Sequence, residues 1–461
     1  MKKINFYFLY AVMNILVAVA AGCGKKFLDL APVSNANVDA FYKTSADIND
    51  AVLAAYSAFK GIYIDNLAAQ AQLDEVRSDN TEDDTRVDNF TGDTGAEWWY
   101  WSWDQCYRTI YASNVVIQTA PTVTMDATLQ SQYVAEAKFL RALSYFELVQ
   151  NYGGVPIVTA PPTSLSASAV DVKRDSVSSV YALIVSDLQF AAQNLPASYT
   201  ASTDIGRATS GAANGMLGKV YLTMGDPTDA QTALTAVVNS GLYSLLPTYA
   251  QVFAIGSRNS AESLFELQFT ENTDPSPLES YYASTVAPLP GGGYYYNRPT
   301  PDFVSTFEPG DPRFAVSMTQ DQNGNWYCIK FNDPSMTSFA NSSHPFPILR
   351  YADVLLLLAE AEGESPQAYA LINQVRTRAT LGPLSPTVPS TFRDTLLHER
   401  RVEFGFENQR WHDLLRFGVA IQVMDAQLAS QGVTLQTWNL LDPISQTTLA
   451  ANPNLKQNPG Y

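Results

Sequence analysis

No stretch of this chain restricts its fold more than Tyr133–Tyr152. Plotted at 100° per residue, Tyr133, Ala137, Leu140, Ser144 and Leu148 fall on one face, while Phe139, Leu143 and Phe146 fall on another. Apolar groups on several sides predict a helix packed by neighbours on several sides. Glu136, Lys138, Arg141 and Glu147 lie between those faces, so each needs a partner in the interior. Gly153 and Gly154 suit a left-handed cap, and Pro156 stops the helix from continuing.

Helical spacing recurs at Ile48–Ile62, Tyr107–Ile117, Ser176–Asn194, Ser210–Met224, Thr228–Val238, Tyr351–Glu362, Pro366–Arg378, Phe392–Phe404 and Trp411–Gln427. Two of these pairs, Ser210–Met224 with Thr228–Val238 and Tyr351–Glu362 with Pro366–Arg378, match the tetratricopeptide period of about 34 residues. The strict tetratricopeptide consensus is absent. Between Tyr243 and Leu349 the pattern changes to Gly, Pro, Ser, Asn and aromatic residues, as in GGGYYYNRPTP and NGNWYC. A stretch that long without regular helix in a helical protein carries function more often than ornament. The expectation is a mainly-α chain of tetratricopeptide-like helical pairs with a long irregular insertion. Residues 23–461 form one unit, with a helical scaffold at about 40–240 and 350–430 and an irregular, ligand-facing region at about 241–349.

The N-terminus is set apart from the fold. Lys2 and Lys3 precede a mostly apolar stretch from Phe6 to Val19, and Ala20-Ala21-Gly22 supplies small residues before Cys23. That is a secretory signal over residues 1–22, too short and too interrupted by Asn14 to span a bilayer. A cysteine directly after the small residues resembles a bacterial lipobox, which makes Cys23 the expected lipidation site; Ala20 departs from the bulkier aliphatic residue usual there. Of the three cysteines, Cys106 and Cys328 then remain, either paired or as two buried thiols.

Charge and composition exclude whole classes. With 28 Lys plus Arg against 45 Asp plus Glu, the net charge of −17 offers no basic stripe to a phosphate backbone, so nucleic acid is not a partner. The three histidines, His344, His398 and His412, sit in no HExxH, and neither GxSxG nor a P-loop occurs. No catalytic residue, metal or cofactor is expected. The run Asp79–Asp84 invites calcium by composition but lacks the EF-hand spacing, and reads as a solvated acidic loop.

Binding chemistry is better represented. Sugars present apolar C–H faces and rims of hydroxyls, which flat aromatic rings with nearby amide, carboxylate or guanidinium groups can hold. Two loop clusters fit: Arg77, Asp79 and Asn80 upstream of Trp98, Trp99 and Trp101, and Tyr294, Tyr295, Tyr296, Asn297 and Arg298 with Trp326 further on. The run WWYWSW leads into a helix, so only one or two of Trp98, Trp99, Trp101 and Trp103 are expected to be exposed.

Several motifs in order resemble the SusD/RagB family. They are Cys23 with Phe27-Leu28-Asp29 and Pro32; Tyr107, Ile110 and Asn114; and Ala135-Glu136-Ala137-Lys138-Phe139-Leu140-Arg141-Ala142 through Tyr152-Gly153-Gly154-Val155-Pro156. The pattern returns as Leu349-Arg350-Tyr351-Ala352-Asp353, Ile372-Asn373-Gln374-Val375-Arg376 and Glu399-Arg400-Arg401-Val402-Glu403-Phe404, with Glu407, Arg410-Trp411-His412-Asp413-Leu414 and Arg416-Phe417-Gly418. The resemblance implies a cell-surface lipoprotein that captures an oligosaccharide for a SusC-like TonB-dependent outer-membrane transporter. It leaves peptides as an alternative cargo; a helical scaffold that binds only proteins and a glycan hydrolase are readings from other classes. Glu399, Glu403 and Glu407, and Arg410, Asp413 and Arg416 at spacings of three, are expected to knit helices together rather than touch ligand.

Overall fold

The computed structural model describes residues 41–64, 70–82, 87, 90, 97–161, 172–269, 297–333, 342–385 and 391–461. Its backbone is a succession of packed helix pairs. Helices α1 (Ser45–Ile64), α2 (Gln70–Val76), α3 (Glu97–Thr119) and α4 (Ala127–Tyr152) open the chain, with the short strand β1 (Thr81–Glu82) between α2 and α3. Asp126 starts α4 by accepting from the amides of Thr128 and Leu129 (2.9 and 3.0 Å). Gly153 ends it at φ 73°, donating its amide to the Val149 carbonyl.

Helices α5 (Val177–Asn194), α6 (Ser210–Met224) and α7 (Pro227–Asn239) follow, each layered on the one before. The chain then makes α8 (Tyr249–Val252), β2 (Ser263–Leu267), β3 (Arg298–Pro299), α9 (Pro301–Ser305), α10 (Pro312–Ser317), β4 (Met318–Gln320), β5 (Trp326–Cys328) and β6 (Phe346–Arg350). It returns to helices with α11 (Tyr351–Glu362), which packs on α7, and α12 (Pro366–Arg378), α13 (Phe392–Phe404), α14 (Arg410–Arg416), α15 (Ala420–Leu428) and α16 (Gln446–Ala451). Among the described residues the strands form three two-stranded antiparallel ladders, β1–β3, β2–β6 and β4–β5.

The α4 helix is buried on several sides, as its sequence requires. Phe139 meets Phe265 of β2 edge-on, with centroids 5.0 Å apart, and both belong to a core shared by α1, α3, α5, α6 and α11. Its charged residues all have partners. Arg141 grips Asp187 (2.7 and 2.9 Å), Lys138 reaches the same carboxylate (2.8 Å), Arg207 meets Glu136 (3.1 Å), and Tyr63 donates to Glu147 (2.5 Å).

Two helical expectations change. The aromatic run Trp98–Trp103 lies inside the first turns of α3 instead of in a loop ahead of it. The stretch expected as one helix over Trp411–Gln427 is two, because Gly418 turns the chain at φ 68° between α14 and α15. Cys106 and Cys328 are separate buried thiols.

Candidate functional site

The site begins with a ladder only two residues wide. Thr81 pairs with Pro299 and Glu82 with Arg298, and β3 also lies beside β5, which carries Trp326. The chain leaving β1 leads to the α3 tryptophans, and the chain entering β3 comes from Tyr294–Tyr296. Of the residues read from the sequence, Arg298 on β3 and Trp326 on β5 are thus brought onto adjacent strands. Arg298 faces Glu82 across the ladder (3.9 Å). Trp326 is half-buried and meets Phe314 edge-on (centroids 5.3 Å, 76°). Asn297 is buried, with φ 52°.

Arg77, Asp79 and Asn80 are not ligand groups on a solvated loop; the structure corrects that expectation. All three are buried, and each spends its polar atoms inside the protein. The Asp79 carboxylate accepts from Arg410 at both oxygens (2.7 and 2.8 Å) and pairs with Arg401 (3.0 Å). Asn80 donates to Glu75 (3.2 Å) and accepts from Arg401 (2.9 Å). Arg77 donates to Asp442 and to the Asn439 carbonyl (2.8 Å), with its guanidinium 4.4 Å from the Trp411 ring centroid. Together they hold the base of the ladder: Thr300, next to β3, donates its amide to the Asn80 carbonyl (2.9 Å) and its hydroxyl to the Asp79 carbonyl (2.8 Å).

The remaining sequence candidates divide. Trp103 is buried between Tyr107 and Tyr152 (centroids 5.3 and 5.1 Å), and Trp101 is half-buried. Trp98 and Trp99 occupy the first turn of α3, but their side chains lie outside the described residues, as do Tyr294, Tyr295, Tyr296 and Cys23.

Beneath the ladder lies an ionic frame that sequence spacing showed only in part. Glu399 and Glu403 share a face of α13, which ends at Phe404; Glu407 comes after that helix yet turns into the same cluster. Arg313 binds Glu399 and Glu403 (2.6 and 3.1 Å), Arg350 binds Glu403, Glu407 and Glu262 (2.6, 2.7 and 3.0 Å), and Arg376 binds Glu399 (3.0 Å). Arg378 completes the cage on Glu403. Burial alone would raise the Glu403 carboxyl, but Arg378, Arg350 and Arg313 outweigh it and hold it well below the usual carboxylate range. Arg410 does not alternate with Asp413 as its spacing suggested: it reaches across to Asp79, while Asp413 pairs with Arg400 and Arg416 (2.8 and 2.7 Å). Of Arg313, Arg350 and Arg378, only Arg350 follows an apolar run, Phe346–Leu349, which is the signal that could have exposed it.

Glu75 stabilises an unusual turn in this frame. Phe406 and Asn408 both adopt positive φ (67° and 62°), and both donate their amides to the Glu75 carboxylate (3.0 and 2.9 Å). Burial raises that carboxyl to about 7 despite these bonds.

Among the described residues, Asp74, Glu147 and His412 could offer ligand atoms to a cation, within 4.8 Å of one another. Those atoms are already engaged in part, His412 with Asp74 (3.1 Å) and Glu147 with Tyr63. A separate groove of about 650 Å³ runs along α3, lined by Trp103, Tyr107, Tyr111, Ile157, Val158 and Leu455. Its wall is pinned where Tyr107 donates to the Pro156 carbonyl (2.7 Å) and Asn114 to the Val158 carbonyl (2.8 Å). The groove is apolar with hydroxyl edges, whereas the ladder combines a ring with ionic groups.

Comparison with known proteins agrees with this architecture. The model of the SusD family matches residues 315–461, and a SusD-like model described as starch-binding associating with outer membrane matches residues 26–222. A SusD-like protein of Formosa agariphila is 27% identical, with all of both chains aligned, and one of Bacteroides ovatus is 27% identical over 86% of this chain and 80% of its own. Among solved structures, a laminarin binding SusD-like protein superposes with a TM-score of 0.80 at 24% identity, covering 91% of this chain and all of its own. Surface glycan-binding protein A from Bacteroides thetaiotaomicron, in complex with laminarihexaose, superposes at 0.78 and 20% identity, over 90% of this chain and all of its own. No described helix is long and apolar enough to cross a membrane. The frame motifs around Glu403 and Arg410, the α4 block and the helix-pair architecture all fit the same conclusion: the chain belongs to the SusD/RagB family.

Proposed function

We propose that this protein is a lipid-anchored receptor of the outer-membrane surface that captures oligosaccharides and delivers them to a SusC-like TonB-dependent transporter. The observation that carries this reading is the meeting of β1, β3 and β5, which brings Trp326, Arg298 and Glu82 onto neighbouring strands. A ring offers its flat face to sugar C–H groups, and the guanidinium and carboxylate serve sugar hydroxyls as donor and acceptor. Trp98, Trp99, Trp101, Tyr294, Tyr295, Tyr296 and Asn297 belong to the same proposed mouth. The laminarin-binding and laminarihexaose-bound relatives support a glycan as cargo over a peptide.

Capture here breaks no bond. Acyl chains on Cys23 would keep the receptor beside its transporter, making transfer effectively intramolecular, so modest affinity suffices. The test is calorimetric titration of a glycan and peptide panel against the wild-type protein and Trp326→Ala, with chromatography of the recovered ligand. Binding of an intact glycan, weakened by Trp326→Ala, is expected. Binding of peptides only, or release of shorter sugars, would refute it. Mass measurement of the natural N-terminus checks Cys23.

A further inference from the structure

We propose that Asp74, Glu147 and His412 form a zinc-binding site where three helices meet. The inference stands apart from the glycan reading, because none of the three residues belongs to the β1–β3–β5 meeting point.

Asp74 comes from α2, Glu147 from the last turns of α4 and His412 from α14. They are so far apart in the chain that no metal motif is legible. In the fold, one ligand atom from each lies within 4.8 Å of the other two. Around a tetrahedral zinc with bonds of about 2.0–2.2 Å, neighbouring ligand atoms stand about 3.3–3.6 Å apart, so the set needs to close by no more than about 1.5 Å. Asp74 is fully buried and His412 is nine-tenths buried.

A second observation points to a bound group. Glu147, Asn408 and His412 line a cavity of about 40 Å³, and each carries a buried atom with no hydrogen-bond partner among the described residues: Glu147 Oε2, the Asn408 side-chain oxygen and His412 Nδ1. With the Nε2 proton of His412 given to Asp74 (3.1 Å), all three are lone pairs awaiting a donor or a cation. One water needs only about 10–15 Å³, so the cavity has room for water beside an ion.

Charge favours an ion over water alone. Two carboxylates this close repel each other strongly out of solvent. Protonated His412 can answer only one of them, and it loses its free lone pair in doing so; a divalent ion answers both and leaves the imidazole neutral. The other charges lining the cavity are already engaged: Lys219 bonds Asp353 (3.2 Å) and Gln409, and Glu407 bonds Arg350 and Lys330 (both 2.7 Å). Zinc takes imidazole nitrogen together with carboxylate oxygen, whereas calcium and magnesium take oxygen ligands. Bound there, it would fasten α2, the helix that leads through Arg77 and Asp79 to β1, to α4 and α14.

The experiment titrates zinc into the chelator-stripped, full-length mature protein in detergent, with about 2 mM calcium present to occupy surface carboxylates. One zinc site is expected, and saturating it should raise the melting temperature by about 3–5 °C. Cobalt(II), used as a coloured stand-in, should show the visible bands of a nitrogen- and oxygen-ligated ion rather than those of the hydrated ion. His412→Gln should weaken zinc at least about 100-fold and Glu147→Gln at least about tenfold, with circular dichroism of the stripped proteins unchanged. Should His412→Gln fail to fold, the wild-type cobalt spectrum and Glu147→Gln still decide. Absence of a zinc site in calcium, a hydrated-ion spectrum, or affinity within about twofold of wild type in the folded variants would overturn the proposal and leave the cavity to water.

Discussion

Arg410 holds both carboxylate oxygens of Asp79, a residue 331 positions earlier in the chain, at 2.7 and 2.8 Å. The contact ties the α14 segment to the turn that feeds β1. Both side chains are buried, so deleting the cation leaves an uncompensated charge, which typically costs about 3–5 kcal/mol. Arg410→Ala should therefore lower the melting temperature markedly. Arg410→Lys should recover only part of the loss, since an ammonium cannot make the two-pronged contact. Thermal melts of the three proteins check this, and equal melting temperatures for Lys and Arg would refute it.

Glu403 is the most heavily caged acid of the frame, with Arg313, Arg350 and Arg378 around it. Glu403→Gln should destabilise the protein by several kcal/mol, about the size expected when one member of a buried ionic network is neutralised. Chemical denaturation at neutral pH reads the effect directly. Because the folded-state pKa of Glu403 is depressed, as are those of Asp353, Asp413 and Asp79, their contribution is complete above the unfolded carboxylate range. It is lost as the pH falls through the lower folded values. Stability should thus fall steeply in strong acid.

Two other carboxyls act with the opposite sign. Burial pushes Glu75 and Asp442 up to about 7, the latter in spite of Arg77. For these groups the native state holds a proton that the unfolded chain has released, so their contribution weakens as the pH rises from the ordinary carboxylate range towards 7. Asp442→Asn should flatten the stability profile between about pH 5 and 7, measured by urea midpoints across that interval. An unchanged slope would refute the assignment.

Helices α6 and α7 meet without clearance at Gly218. A Cβ placed there would lie 2.3 Å from Leu234 Cγ and 2.6 Å from its Cδ2. Gly218→Ala must push the helices apart or force Leu234 from its rotamer, at about 1–3 kcal/mol. Pairing it with Leu234→Ala should return part of that cost, a coupling that a double-mutant cycle measures.

Much of the scaffold could be read from local chemistry. The limits of α6, α11, α12 and α13 coincide with their sequence expectations, and α6, α12 and α13 start at strong caps: the Thr209, Ser365 and Thr391 side chains accept from the first-turn amides. The start of α3 was not legible, because Trp and Tyr have middling helix propensity and packing decides their state. The site was less legible still. Arg77, Asp79 and Asn80 stand near an aromatic run in sequence, which made them look like ligand groups. Their partners Asp442, Arg410 and Arg401 come from more than 300 residues away, and no spacing rule reaches that far. Trp326, Asn297 and Arg298 could be picked out by residue type, but the meeting of Arg298 with Glu82 depends on strand pairing.

The narrowness of the β1–β3 seam has an evolutionary consequence. Two residue pairs above a rigid electrostatic foundation form a socket, and what is plugged into a socket can be exchanged without rewiring the wall. Arg313, Arg350, Arg376 and Arg378, which cage Glu399 and Glu403, lie on neither β1 nor β3, so a lineage can exchange residues of the seam and leave that arginine lattice untouched.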